Sequence, residues 1–183
     1  NAGVGSVHPE EMRATVIREL AEIGIAFDGD GDRIVMADEN GRLLDGNALL
    51  TMLALDMLEQ KRLPHHTVAT TIMANAGLER AIAPLGGQVL RTKVGDRHVV
   101  EAMREQGYTL GGESSGHIVM LDHNVTGDAI IAALQVLAIV VRKEQPLSAI
   151  AAPYQEMPEV HRKVPVNNGQ RPAHEAIEAI VEE

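Results

Sequence analysis

The stretch "TVATTIMANAGLERAIAPLGGQVLRT", residues 67–92, decides the fold class of this chain. Its first part, "TVATTI" (67–72), is β-branched and apolar and predicts a buried strand. The next part, "NAGLERAIAPLG" (75–86), predicts a helix, and "QVLRT" (88–92) predicts a second strand. A strand, a helix and a strand in succession predict an α/β domain built in layers.

The same alternation extends in both directions. Upstream, the pattern predicts a helix over 8–22, a strand over 23–27, a hairpin turn at Asn40 and Gly41, and a helix over 47–60 capped by Asp45 or Asn47. Downstream, it predicts helices over 96–107 and 127–143 and strands over 108–112 and 117–121. Three prolines indicate a linker over 144–160, and 161–183 is compatible with a strand, a turn and a helix.

Composition narrows the classes of protein to consider. The chain has 183 residues, is 45% hydrophobic and has no cysteine, which excludes disulfides and thiolate metal sites and fits a cytoplasmic protein. A net charge of −10 and an aromatic content of 2% argue against nucleic-acid binding, which needs basic and stacking side chains. The longest apolar stretch, 129–141, is too short to span a bilayer, so we expect no membrane partner.

Three aspartates stand close together in "FDGDGDR", directly after a predicted strand. Asp28, Asp30 and Asp32 alternate with glycines, so their carboxylates can project to one side of an extended loop. Carboxylates this close repel one another unless a cation binds them, and all-oxygen ligands select a hard ion such as Mg²⁺. Arg33 follows and is suited to a phosphate that shares the metal.

Three other interpretations of this loop remain. It could be a solvated acidic turn, because Asp and Gly favour turns. It could be a noncatalytic calcium loop of the EF-hand type, with Glu39 at the twelfth position, although Arg33 replaces the glycine at the sixth. It could also hold an aspartate nucleophile, Asp28, as in phosphatases of the haloacid-dehalogenase type, although Asp32 stands where that motif has threonine.

Two further segments place candidate ligand-binding side chains at the ends of predicted strands. "RTKVGDRH" (91–98) places Lys93, Gly95, Asp96 and Arg97 at the start of a helix, where free amides and cations could bind an anion. "GGESSGH" (111–117) is a glycine-rich loop whose glutamate and serines could bind hydroxyl groups, and its histidine could transfer a proton. The alternative for 91–98 is a helix N-cap at Asp96 with a solvated first turn, and the alternative for 111–117 is a glycine-rich hairpin with a structural histidine.

Taken in order, "FDGDGDR", "TKVGDR" and "GGESSGH" resemble the signature series of the α-D-phosphohexomutases. The forms "KVGDR" and "GESSGH" are closest to the bacterial phosphoglucosamine mutase branch, because the phosphomannomutase/phosphoglucomutase branch typically has histidine at the position of Asp96. The resemblance implies a cytoplasmic isomerase that interconverts glucosamine 6-phosphate and glucosamine 1-phosphate through a phosphoserine and a bisphosphate intermediate. Its product would feed UDP-N-acetylglucosamine and cell-wall synthesis.

The resemblance also implies roles for individual residues. Asp28, Asp30 and Asp32 would bind one Mg²⁺, and Arg33 would contact the active-site phosphate. Glu113 and Ser115 would hold sugar hydroxyls, with Gly95, Asp96 and Arg97 contributing to substrate binding. Lys93 and His117 would line the pocket, and His117 is the candidate for proton transfer.

The same resemblance implies a mixed sheet with flanking helices, in two or three layers, and an incomplete set of domains. Residues 1–42 would end domain two and carry the metal loop, 43–152 would form the whole sugar-binding domain three, and 153–183 would be a linker and the start of domain four. The sequence holds no loop resembling the family's phosphoserine or distal phosphate loops. We therefore expect this chain to be inactive alone, with a possible tendency to form homodimers or to self-associate.

Overall fold

The computed structural model describes residues 3–160. It begins with helix α1 (Glu10–Glu19) and strands β1 (Gly24–Phe27), β2 (Ile34–Ala37) and β3 (Leu43–Leu44), which form a three-stranded antiparallel sheet. The hairpin predicted at Asn40 and Gly41 joins β2 to β3. The Asp38 carboxylate accepts the amides of Asn40 and Arg42 inside this turn.

The second sheet has four strands in the order β5-β4-β6-β7. Strands β4 (Thr67–Thr71), β5 (Gln88–Thr92) and β6 (Leu110–Gly112) are parallel, whereas β7 (Ile118–Met120) pairs antiparallel with β6. The α/β class and the mixed sheet are therefore confirmed.

Helices cover both faces of this sheet. The helices are α2 (Gly46–Glu59), α3 (Ala76–Ile82), α4 (Asp96–Gln106), α5 (Ala129–Lys143) and α6 (Leu147–Ala151), and two 3₁₀ turns lie at Pro64–His66 and Ala83–Leu85. Helix α2 is buried around almost its whole circumference and supplies much of the main core, as expected for a mostly apolar helix surrounded by other elements. Val99 and Met103 of α4 pack with Ala69 and Val119 in a second apolar cluster, which gives three layers.

The start of α2 is fixed by a side-chain cap. The Asp45 carboxylate accepts a hydrogen bond from the amide of Ala48 at 3.0 Å, so Asp45 is the N-cap. Asn47 lies inside the helix, where its side-chain oxygen Oδ1 accepts the backbone amide of Asn75. None of the helices within residues 3–160 is long and apolar enough to cross a membrane.

The stretch 144–160 is more ordered than its prolines predict. It contains α6, whose Leu147 is fully buried, and Tyr154 is 5% exposed. Asn75 donates to the carbonyl oxygen of Met157 and accepts its amide, both at 2.9 Å, so the segment after α6 is seated on the start of α3. The elements predicted over 161–183 lie outside the described residues.

Candidate active site

The acidic loop joins β1 to β2 and brings its three aspartates together. Phe27 pairs with Ile34 at the end of the two strands, and the amide of Asp28 donates to the carbonyl of Arg33 at 3.2 Å, which closes the loop. One carboxylate oxygen each from Asp28, Asp30 and Asp32 lies within 4.8 Å of the others. The loop can therefore present three oxygen ligands to a single ion.

Asp28 organises the loop. Its Oδ1 accepts the amides of Gly31, Asp32 and Arg33, each at 3.1 Å, and its Oδ2 accepts the guanidinium Nε of Arg33 at 2.9 Å. Burial raises the pKa of Asp28, but hydrogen bonds with Asp32 and Arg33 and the charge of Arg33 outweigh it and lower that pKa to about 2. With a side chain only 5% exposed and both oxygens engaged, Asp28 is poorly placed to act as a nucleophile.

Asp32 has one buried carboxylate oxygen that is not satisfied within the described residues. Burial first, and then the neighbouring Asp28, raise the pKa of Asp32, while a hydrogen bond with His117 lowers it. Its Oδ1 is buried and has no hydrogen-bond partner within residues 3–160, although the Nε of Arg33 lies 3.6 Å away. A buried carboxylate oxygen without a donor fits a site that takes a cation.

The three segments singled out in the sequence meet in the structure. The backbones of Arg33 and His117 form an antiparallel bridge, and the amide of Ile34 donates to the carbonyl of Gly116 at 3.1 Å. Glu113 in turn accepts the amide of Gly95 at its Oε1, at 3.1 Å. The acidic loop, the 111–117 loop and the turn before α4 thus form one connected unit.

The sheet explains why the second and third segments converge. The turn before α4 follows β5 and the 111–117 loop follows β6, and both strands are parallel to β4 between them. Their carboxyl ends therefore lie at the same edge of the sheet, where ligands of α/β proteins commonly bind.

The predicted ligand-binding residues differ in how closely they approach this unit. Lys93, which follows β5, and Asp96, the first residue of α4, are both exposed. Ser115 is exposed as well, with its Oγ 3.5 Å from Oε2 of Glu113. Arg97 turns along its own helix and pairs with Glu101 at 2.7 Å, with 82% of its side chain exposed. The structure thus connects Gly95 and Glu113 directly and leaves Lys93, Asp96 and Arg97 at the solvent edge.

His117 lies on the metal side of the 111–117 loop. The residue is 5% exposed, and its Nδ1 lies 3.0 Å from Oδ2 of Asp32. The role of His117 in proton transfer stays a prediction.

The structure also bears on the calcium interpretation. The acidic loop is flanked by strands β1 and β2, whereas an EF-hand loop is flanked by helices. Glu39 lies in the β2–β3 hairpin, where its carboxylate accepts hydrogen bonds from the hydroxyl and amide of Ser148. Both observations disfavour an EF-hand site.

Two glycines that shape the site were not identified from the sequence. A Cβ atom at Gly46 would lie 2.0 Å from the carbonyl oxygen of Glu113, and one at Gly127 would lie 2.3 Å from Nε2 of His117. Gly46 is the first residue of α2 and Gly127 lies two residues before α5, but the sequence does not say which loop each one touches. Only their long-range neighbours identify them as site residues.

Comparison with known proteins identifies the family. The family model described as phosphoglucomutase/phosphomannomutase, alpha/beta/alpha domain III, matches residues 45–157. The phosphoglucosamine mutase of Anaeromyxobacter dehalogenans is 51% identical over 172 residues, which make up 91% of this chain and 38% of that protein. The phosphoglucosamine mutase of Sorangium cellulosum is 52% identical over 161 residues, which make up 87% of this chain and 34% of that protein.

A solved structure agrees with these sequence relatives. The crystal structure of a phosphoglucomutase/phosphomannomutase family protein from Burkholderia thailandensis has a TM-score of 0.73 and 29% identity to this chain, and the match covers 83% of this chain and 33% of that one. The chain spans less than two-fifths of the length of the two curated relatives. The three motifs, the fold and the matched domain together show that the chain belongs to the phosphoglucomutase/phosphomannomutase family, the α-D-phosphohexomutases.

Proposed function

We propose that this chain supplies the metal-binding and sugar-binding parts of a phosphoglucosamine mutase, which interconverts glucosamine 6-phosphate and glucosamine 1-phosphate. The observation that carries the proposal is the connected unit in which the aspartate trio, the turn at Gly95 and the loop at Glu113 hydrogen-bond to one another. The relatives that are 51% and 52% identical bear that name, and the Asp96 form of the second motif favours the same branch.

The residues divide into a phosphate end and a sugar end. The aspartate trio would hold Mg²⁺, which when bound neutralises charge on the transferred phosphoryl group. Arg33, 44% exposed at its side chain, would contact the same phosphate, while Glu113 and Ser115 would bind sugar hydroxyls. Lys93, Asp96 and Arg97 would complete the substrate surface at the open edge, and the amide of Gly95 would help to hold Glu113.

The proposal includes an arrangement of domains. Residues 1–42 would end domain two, 43–152 would form domain three, and 153–183 would lead into domain four. The phosphoserine and the second phosphate-binding loop would then be supplied by other parts of a longer protein, and that protein would work in the cytoplasm on a phosphosugar.

A turnover assay tests this proposal. The full-length gene product is assayed with glucosamine 6-phosphate, mannose 6-phosphate and glucose 6-phosphate, next to the isolated 183-residue chain. We expect turnover by the full-length protein, with glucosamine 6-phosphate preferred, and none by the isolated chain. A preference for mannose 6-phosphate or glucose 6-phosphate would assign the protein to the phosphomannomutase/phosphoglucomutase branch of the family. Turnover by the isolated chain would contradict the proposal that other parts of a longer protein complete the active site.

A matched pair of substitutions locates the sugar end. In the full-length protein, Glu113→Gln should raise KM for the sugar phosphate because it weakens the acceptor for sugar hydroxyls. Glu105→Gln, on the exposed side of α4, is the control and should leave KM unchanged. If the two variants had equal KM values, Glu113 would not contribute to substrate binding.

A further inference from the structure

We propose that Asn75 is a positioning residue for substrate binding, because its side chain holds residues 153–160 in a fixed place beside the candidate site. We call residues 153–160 the exit segment. The inference rests on the proposed function, in which parts of a longer protein beyond this segment complete the active site. It adds a residue that lies outside the three motifs.

The exit segment follows helix α3 toward the ligand-binding edge of the larger sheet. A Cβ atom at Gly77 would lie 2.1 Å from the carbonyl oxygen of Gln155, so the backbone of the segment passes directly over the first turn of α3. Val160 then lines a pocket of about 230 Å³ together with Ile72 and Met73, which directly follow β4. Because the carboxyl end of β4 lies at the edge where the site segments meet, the exit segment ends beside the site.

Asn75 binds the exit segment through both groups of its side-chain amide. Its Oδ1 accepts the amide of Met157 and its Nδ2 donates to the carbonyl oxygen of Met157, both at 2.9 Å. Its Nδ2 also donates to Oε1 of Glu159 at 2.6 Å. The side chain thus pairs with the N–H and the C=O of one residue, as a neighbouring strand would. Asn75 is only 3% exposed, so water competes little for these hydrogen bonds.

The backbone of Asn75 is fixed in turn to the start of α2. Its amide donates to Oδ1 of Asn47 at 3.1 Å, and Nδ2 of Asn47 donates to Asp45, the N-cap of α2, at 2.8 Å. The amide of Gly46 donates to the carbonyl of Ser114, in the proposed sugar-binding loop, at 3.1 Å. One connected set of hydrogen bonds therefore holds the exit segment and this loop, and Asn75 lies between them.

Asn75 also caps helix α3, and this role can be separated from the first. Its Oδ1 accepts the amide of Gly77 at 2.8 Å, which makes Asn75 the N-cap. Aspartate caps helices about as well as asparagine does, but it has no amide to donate. In Asn75→Asp the carboxylate would face the carbonyl of Met157 and the carboxylate of Glu159, and both would repel it. This substitution therefore keeps the cap and removes the hold on the exit segment.

Steady-state kinetics of the full-length gene product with glucosamine 6-phosphate test the inference. We expect Asn75→Asp and Asn75→Ala each to raise KM for the sugar phosphate by about 2- to 10-fold, the effect of losing one hydrogen bond. The Mg²⁺ concentration for half-maximal turnover should not change, because the acidic loop keeps its contacts. Arg80→Gln is the control and should leave KM unchanged, since it removes only an exposed contact of 3.4 Å to Sδ of Met157.

Hydrogen exchange of the 183-residue chain locates the effect of Asn75→Asp. Exchange at the amide of Met157 should become faster, because Asn75 holds this residue by two hydrogen bonds. Exchange over 113–116 should match the wild type, because Asn47 still accepts the backbone amide of residue 75.

Three results would overturn the inference. A wild-type KM in Asn75→Asp, with a raised KM only in Asn75→Ala, would show that Asn75 is a helix cap and nothing more. A wild-type KM in both variants would show that the exit segment does not affect substrate binding. Faster exchange over 113–116 instead of at Met157 would show that Asn75 acts on the loop. If the wild-type full-length protein turned over no sugar phosphate, the proposed function would be wrong, and this inference with it.

Discussion

Gly46 shows how a single small residue holds the 111–117 loop against the rest of the domain. Its amide donates to the carbonyl of Ser114 at 3.1 Å, and the place of a Cβ atom is occupied by the backbone of Glu113 and Gly116. Backbone atoms cannot rotate away as a side-chain end can, so the first turn of α2 and the loop must stay in register. The cap at Asp45 places this turn, which links a local sequence signal to a distant loop.

Substituting Gly46 by alanine tests that contact. The added methyl would have to displace the backbone at Glu113, and overpacking of this kind costs about 1–3 kcal/mol of unfolding free energy. Urea unfolding should show the loss, and hydrogen exchange should increase in the loop from Glu113 to Gly116. Unchanged stability together with unchanged exchange would show that the loop is not held there.

Asp28 gives a prediction that depends on pH. Its folded pKa of about 2 lies below its unfolded value of 3.8, so its charge stabilises the fold above pH 3.8 and that contribution is lost as the pH falls toward 2. Without divalent metal, Asp28→Asn should therefore lower the unfolding free energy at pH 7 by an amount on the order of 2 kcal/mol. The deficit should shrink between pH 4 and pH 2.

The control for Asp28 is the exposed Asp122, for which Asp122→Asn should be neutral across the same range. A deficit in Asp28→Asn that persists at pH 2 would mean that the substitution acts through packing rather than through charge. Denaturant unfolding at several pH values in the presence of a chelator distinguishes an effect of charge from an effect of packing.

At the scale of elements, helices α2 and α5 are joined by a buried carboxylate. Asp56 is 4% exposed and accepts hydrogen bonds from Arg142 on α5 and from Gln60 at 2.9 Å. Arg142→Met should destabilise the fold by about 1–3 kcal/mol, because the buried Asp56 loses its hydrogen-bonded arginine and keeps only Arg62, 3.6 Å away. Thermal and urea unfolding measure the effect.

The neighbouring pair supplies the matched comparison. Lys143 bonds Glu59 at 2.7 Å across the same two helices, but Glu59 is 48% exposed. Lys143→Met should therefore cost only about 0–1 kcal/mol, as exposed ion pairs do. Equal costs for the two substitutions would show that burial of Asp56 does not decide the strength of the contact.

Helix α6 shows that the segment after α5 belongs to the domain. Leu147 is fully buried, so Leu147→Ala should cost about 2–5 kcal/mol through lost burial and a cavity. Leu134→Ala on the outer face of α5, where leucine is 57% exposed, should stay within about 0.5 kcal/mol of wild type. If the Leu147 variant were as stable as the Leu134 variant, α6 would not contribute to the stability of the domain and the segment would be only a linker.

The sequence predicts the elements well because their signals are local. The predicted strand over 88–92 coincides with β5, and the predicted helix over 75–86 appears as α3 and a 3₁₀ turn at Pro84. Helix α6 was not predicted, because it is short and lies between prolines, and its stability comes from burial of Leu147 and from Ser148 bonding Glu39. Contacts between residues so far apart leave no local pattern.

The candidate site likewise contains some residues that can be predicted from local motifs and some that depend on long-range packing. The aspartate trio, Arg33 and Glu113 are visible in motifs, because the chemistry requires those side chains at close spacing. The burial of His117, the outward turn of Arg97 and the fit of Gly127 depend on how three segments pack. These could be learned only from the folded chain.

At the scale of the whole molecule, one small sheet and one larger sheet share a hydrophobic core and also meet at the candidate site. The β1–β2 loop reaches the larger unit through Arg33 and His117, through Ile34 and Gly116, and through Gly31 and Ala129. A bound ion at the trio would lie at this junction, so it should stabilise the two sheets together. We therefore expect a divalent ion to bind where the two sheets meet.

Paramagnetic broadening by Mn²⁺, followed by two-dimensional amide NMR of the 183-residue chain, tests that claim most directly because it detects even weak binding. We expect broadening centred on residues 28–33 that extends across the junction to Gly116 and His117, spares Gln106 at the end of α4, and disappears in Asp30→Asn/Asp32→Asn. Broadening that is absent, that is confined to other acidic surfaces, or that persists in the double variant would contradict the account.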